Sequence, residues 1–153
     1  MKTFVLVVIL GLGVAGCDEK TPAPEVGAEV DAQMSDANQI EWRSAESAAG
    51  GAFVRWRPLV EPIPVGDLFD AEVELFTDAT MSQRIEFETV RLDAGMPHHG
   101  HGMNVEATMI RRGAGDYLAR GMLMYMPGRW QVYVDFIEDG RLERAQWSMW
   151  LSG

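Results

Sequence analysis

All three histidines of the chain fall in one stretch, Met96-Pro97-His98-His99-Gly100-His101-Gly102-Met103, and a methionine stands at each end of it. Near neutral pH histidine offers an uncharged imidazole nitrogen and methionine a soft thioether, a donor set that suits copper and, less often, zinc or nickel. His99 and His101 are two apart, so an extended backbone sends both imidazoles to one side with Cα atoms roughly 6–7 Å apart, within reach of a single ion. His98 then faces the other way. Gly100 and Gly102 relax this, because each accepts positive φ and lets the loop curl until three imidazoles converge. Dense histidine tracts are compositional metal signals only, and the alternative is a solvated, glycine-rich surface loop that binds nothing.

A second group of thioethers follows. Met122, Met124 and Met126 alternate and therefore share one face of a strand. They either fill the core, as methionines in strands commonly do, or turn outward while Leu123 and Tyr125 form the core face. Met126 is the best placed of them as a ligand, since it ends the run just before the Pro127-Gly128 turn. Asp93, ahead of the histidine stretch, reads as a solvated carboxylate, a hard ligand or a group that orients a histidine. Trp130 reads as core.

The elements that must position these residues are strands. From Ala52 onward apolar and polar residues alternate, with turn residues about every ten positions, the pattern of an all-β sandwich. Val54 and Trp56 alternate with Arg55 and Arg57, and Phe69, Ala71, Val73 and Leu75 with Asp70, Glu72 and Glu74. Val90, Leu92 and Ala94 lead into the histidine stretch, and Val105, Ala107 and Met109 leave it. A fifth strand runs from Tyr117 to about Tyr125, a sixth carries Trp130, Val132, Val134 and Phe136, and Trp147, Met149 and Leu151 close the domain. Seven strands in about 100 residues match the strand number and size of an immunoglobulin-like sandwich.

The chain ahead of this domain has a different character. Lys2 followed by the apolar run Phe4 to Leu12 is too short for an ordinary bilayer-spanning helix but suits the core of a signal peptide, assigned here to residues 1–16. Val14-Ala15-Gly16-Cys17 resembles the lipobox of bacterial lipoproteins, which predicts that Cys17 is diacylated and becomes the new N-terminus. The expected location is extracytoplasmic, anchored in the membrane through Cys17, and in a diderm cell on the periplasmic side of the inner membrane, to which Asp18 directs it. Residues 17–51 are rich in Ala, Glu, Asp, Ser, Pro and Gly and predict a flexible tether, with Ile40 and Trp42 able to dock a short turn. The domain is then 52–153.

Cys17 is the only cysteine, so disulfides, CxxC redox pairs and thiolate metal sites within the domain are excluded. Cleavage after Gly16 removes Lys2 alone and leaves 12 basic against 23 acidic side chains, a net of −11. That balance excludes nucleic acid as a partner, because phosphates need a basic surface. No serine nucleophile with a placed base, no paired-carboxylate motif and no phosphate-cradling glycine loop is present, so the chain does not read as an enzyme.

The histidine stretch, followed some twenty residues on by Met126-Pro127-Gly128-Arg129-Trp130, resembles the YtkA-like domain family, which is related to FixH-like proteins. The resemblance spans roughly Val54 to Leu151 and implies an immunoglobulin-like, extracytoplasmic, membrane-tethered domain, with copper handling and respiratory oxidase assembly suggested for some members. It places His99, His101, Met96, Met103 and Met126 at the family's histidines and methionines, with His98 at a variable position. The function that follows is a membrane-anchored copper carrier or chaperone that hands its ion to a membrane protein. The alternative is a non-metal interaction module of a membrane complex.

Overall fold

The computed structural model describes residues 40–153, in which nine strands form two antiparallel sheets. The strands are β1 (Arg43–Glu46), β2 (Phe53–Pro58), β3 (Leu68–Phe76), β4 (Val90–Met96), β5 (His101–Gly102), β6 (Thr108–Gly113), β7 (Asp116–Leu123), β8 (Gly128–Glu138) and β9 (Arg141–Leu151). One sheet has the order β1-β2-β3-β7-β6 and the other β5-β4-β8-β9. The β-sandwich read from the alternation is therefore present, and all seven expected strands are in it. Two short strands, β1 and β5, add to them.

Alternation sets which residues fill the space between the sheets. Val54 and Trp56 of β2, Phe69, Ala71, Val73 and Leu75 of β3, Leu92, Ala94 and Met96 of β4, and Trp130, Val132, Val134 and Phe136 of β8 are all buried. Each lies two residues from the next on its strand, so one face of each sheet is apolar throughout. Burial of the larger side chains among them stabilises by roughly 1.5–3 kcal/mol each before entropy is counted. Met122 and Met124 are fully buried in the same core, which decides the face of the fifth expected strand: the thioethers fill the interior, and Leu123 and Tyr125 take the other parity.

Strand β1 lies inside the segment that composition assigns to the tether. It pairs with β2 in the register Arg43↔Trp56 and Ala45↔Val54, and the Arg43 guanidinium sits 5.2 Å from the Trp56 ring centre. On the outer face, Trp42 lies against Arg55 at 4.4 Å and Arg57 at 4.5 Å. These cation–π contacts hold a segment whose own sequence has too little apolar periodicity to announce a strand. The signal peptide, Cys17 and the tether as far as residue 39 lie outside the described residues.

The outer face of the five-stranded sheet is an ion-pair ladder. Register partners Arg55 and Glu74 pair at 2.5 Å, and Arg57 and Glu72 at 2.8 Å. Arg112 joins Glu72 at 2.6 Å and Asp116 at 2.7 Å, while Arg84 pairs with Glu74. Many of the chain's basic side chains are thus committed to neighbouring carboxylates, which accounts for charge alternation on the β2 and β3 solvent faces without any ligand.

Candidate metal site

The histidine stretch forms a tight hairpin at one end of the sandwich. Strand β4 ends at Met96, Pro97–His99 make one turn of 3-10 helix, and Gly100 adopts φ 70° before β5 returns. The Gly100 N–H donates to the Met96 and Pro97 carbonyls at 3.1 and 3.2 Å, and the Met103 N–H donates to the Ala94 carbonyl at 3.0 Å. Gly100 is needed for its left-handed backbone, which an L side chain rarely adopts. The extended conformation in which His99 and His101 would share a side is therefore replaced by a turn.

That turn gathers the imidazoles. The His98 and His99 ring centres are 4.3 Å apart, and those of His99 and His101 are 5.6 Å apart with planes only 10° from parallel. A metal bound to imidazole lies in the plane of the ring, so two stacked rings reach one ion only after a side chain rotates. His98 and His99 are exposed and His101 is half-buried, which leaves the first two free to make that rotation. Among the described residues, no group of three or more His, Cys, Asp or Glu side chains is arranged to hold an ion as it stands. Although His98 is exposed, desolvation within the crowded turn pushes its pKa below the ordinary value, and the nearby charges of His99, Arg129 and His101 push it the same way.

None of the three methionines at this end of the fold is exposed. Met96 and His101 are register partners in β4 and β5, so their side chains leave the same face as cross-strand neighbours. Met96 is fully buried. Met103 is half-buried, and its sulfur accepts the Leu123 N–H at 3.4 Å, tying the hairpin to the opposite sheet. Met126 is half-buried, and its carbonyl accepts the Trp130 indole N–H at 2.9 Å. In this arrangement solvent meets imidazoles first and thioethers second.

The two sequence motifs meet at this end of the fold. A Cβ on Gly128 would fall 2.7 Å from the Met96 terminal carbon, so the glycine of the second motif makes room for the first methionine of the histidine stretch. Tyr125, just ahead of Met126, places its hydroxyl 2.6 Å from His101 Nδ1. Its ring meets His101 at 5.4 Å between centres and the buried Trp130 edge-on at 5.8 Å. Sequence reasoning passed over Tyr125 as a site residue, and the only signal for it was its place beside the Pro127-Gly128 turn. Asp93 lies apart from the imidazoles: its side chain accepts the Ala94 N–H at 2.7 Å, and it stands opposite Tyr133 in the sheet.

No family model matches the chain, and no curated protein matches it in sequence. Among solved structures it is similar to a copper-bound variant of FetP from uropathogenic Escherichia coli strain F11. The two share 9% identity with a TM-score of 0.47, over 74% of this chain and 95% of that one.

Proposed function

We propose that this domain is an extracytoplasmic copper-binding protein, anchored through Cys17, that carries the ion to a membrane-bound acceptor. The observation that supports the reading is that His98, His99 and His101 share one end of the sandwich with Met96, Met103 and Met126. Imidazole nitrogen suits Cu(II) and thioether sulfur Cu(I), so one site offers donors to both states. Copper is the cargo here: exposed histidines on a hairpin let an acceptor compete for it. The resemblance to YtkA-like domains extends the reading to supply of a respiratory oxidase.

Competition titration of the mature protein with Cu(I) and Cu(II), against a chelator of known affinity, tests it. The His99→Ala, His101→Ala double variant should stay folded, melting within a few degrees of wild type for loss of the Tyr125 bond, and lose Cu(II) affinity far more than Cu(I) affinity. Full affinity for both ions in that variant would remove the hairpin as the site. A second reading, an interaction module without metal, is favoured by apolar groups on the solvent face of the edge strand β9, where Leu142 and Trp150 are 64% and 72% exposed. If that reading holds, the double variant leaves partner binding intact and wild-type protein takes up no copper.

A further inference from the structure

Resting on the copper-binding reading, we infer that Tyr125 is a positioning residue that occupies the Nδ1 edge of His101 and leaves Nε2 as the nitrogen through which that imidazole takes copper. The 2.6 Å contact between the Tyr125 hydroxyl and Nδ1 fills this edge in either tautomer. If Nδ1 is bare it accepts the phenol O–H, and if it is protonated it donates to the phenol oxygen. Either way an ion approaching Nδ1 must first displace the tyrosine. Binding at Nε2 needs no such displacement. The imidazole stays neutral throughout: when Nε2 starts protonated, its proton leaves for water, one arrives at Nδ1 from water, and the phenol turns from donor to acceptor. A metal-bound histidine commonly donates its second N–H to an oxygen that fixes the ring, and Tyr125 is that oxygen here.

The hydroxyl is held by the core rather than by the loop. Trp130, fully buried, meets the Tyr125 ring edge-on and ties the β7–β8 connection through its bond to the Met126 carbonyl. The preceding residue, Met124, is fully buried, and its carbonyl accepts the Gly66 N–H at 3.0 Å. His101 is in turn paired to Met96 in the sheet. Among the described residues, neither His98 nor His99 has a side-chain hydrogen bond of this kind. One imidazole is therefore fixed in orientation while two exposed ones can swing toward it, and His101 is the anchor of the set.

Nitrogen-15 NMR of histidine-labelled protein, titrated anaerobically with diamagnetic Cu(I), reads which nitrogen binds. In wild-type protein the Nε2 resonance of His101 should move on metal binding while Nδ1 reports a hydrogen-bonded N–H. In Tyr125→Phe, which removes only the hydroxyl, Cu(II) affinity in chelator competition should fall about tenfold or more, and the Cu(I)-bound signal should divide between the two nitrogens. Coordination through Nδ1 in wild-type protein overturns the assignment, as does a Tyr125→Phe variant that keeps both its affinity and its Nε2 pattern. The wild-type spectrum decides the nitrogen even if the variant fails to fold. Copper that moves His98 and His99 but not His101 removes the role of Tyr125 and leaves the copper reading standing. Cu(I) that moves no imidazole, together with Cu(II) affinity unchanged in the His99→Ala, His101→Ala variant, removes both.

Discussion

The close approach of Gly128 to Met96 predicts a coupling that can be measured without any metal. Gly128 has φ 135°, a backbone region open to glycine and strained for other residues, and an added Cβ would stand 2.7 Å from the Met96 terminal carbon. Gly128→Ala therefore carries two penalties. Backbone strain of this kind costs about 1–3 kcal/mol, and forcing a methyl against a fully buried side chain costs about 1–3 kcal/mol more. The sum, about 2–6 kcal/mol, lowers the melting temperature by roughly 4 °C for each kcal/mol in a domain of this size. Met96→Ala alone leaves a cavity and costs about 2–5 kcal/mol. Once Met96 is shortened the crowding is gone, so Gly128→Ala in that background should cost only the strain, and the cycle should show a coupling of at least about 1 kcal/mol. Urea melts followed by tryptophan fluorescence and by circular dichroism supply the four stabilities. An equal cost of Gly128→Ala with and without Met96 would refute the reasoning, because the glycine would then answer only to its own backbone.

Three further outcomes follow from the same geometry. A chain begun at Gly51 should melt several degrees below one begun at Ile40, since it loses the β1–β2 pairing and cation–π contacts worth about 0.5–1 kcal/mol each; equal melting curves would show that β1 adds nothing. Burial favours the neutral form of the Glu72 carboxyl, but hydrogen bonds from Arg112 and Arg57 outweigh it and hold the pKa below the ordinary value of 4.5. The folded value lies below the unfolded one, so this stabilisation is complete above about pH 4.5 and fades as pH falls below it. Acid-unfolding curves of Glu72→Gln should lose that part of the slope, and an unchanged slope would place it elsewhere. Met103→Leu should cost only about 1 kcal/mol, through the lost bond from the Leu123 amide, while weakening Cu(I) more than Cu(II) in chelator competition; an unchanged Cu(I) affinity would exclude the Met103 sulfur as a ligand.

Strands with strict alternation were legible because a period of two admits one buried face, as along Phe69, Ala71, Val73 and Leu75. The fifth expected strand was ambiguous for the same reason: Met122 and Met124 on one parity, and Leu123 and Tyr125 on the other, are both apolar enough to face the core. Only the sheet register, in which Met122 stands opposite Phe69, decides between them. Strand β1 was not legible, since Arg43-Ser44-Ala45-Glu46 carries no apolar stripe and is held by its ladder and cation–π contacts with β2, the next strand. Strand β5 is two residues, one of them glycine, and has no pattern to read. At the candidate site the histidines and flanking methionines stand out by type alone. Tyr125 does not, because its part depends on a contact across 24 residues of sequence. Met96 continues the buried parity of Val90, Leu92 and Ala94, so its enclosure follows from alternation even though its type marks it as a ligand.

The hairpin bearing the imidazoles joins its sheet through only two residue pairs, Gly95↔Gly102 and Met96↔His101, whereas β8 and β9 are zipped along eleven. Its attachment beyond those pairs is a phenol, a thioether and a few loop amides. Such an element opens by itself, at a free energy well below that of the whole domain. Amide protons at His101 and Met103 should then exchange with deuterated water orders of magnitude faster than those of Val132 or Val134, by an opening that leaves the β4–β8 register closed. If the hairpin holds copper, surrender of the ion is an event of that small unit, and its rate is set by how often two rungs of a ladder part.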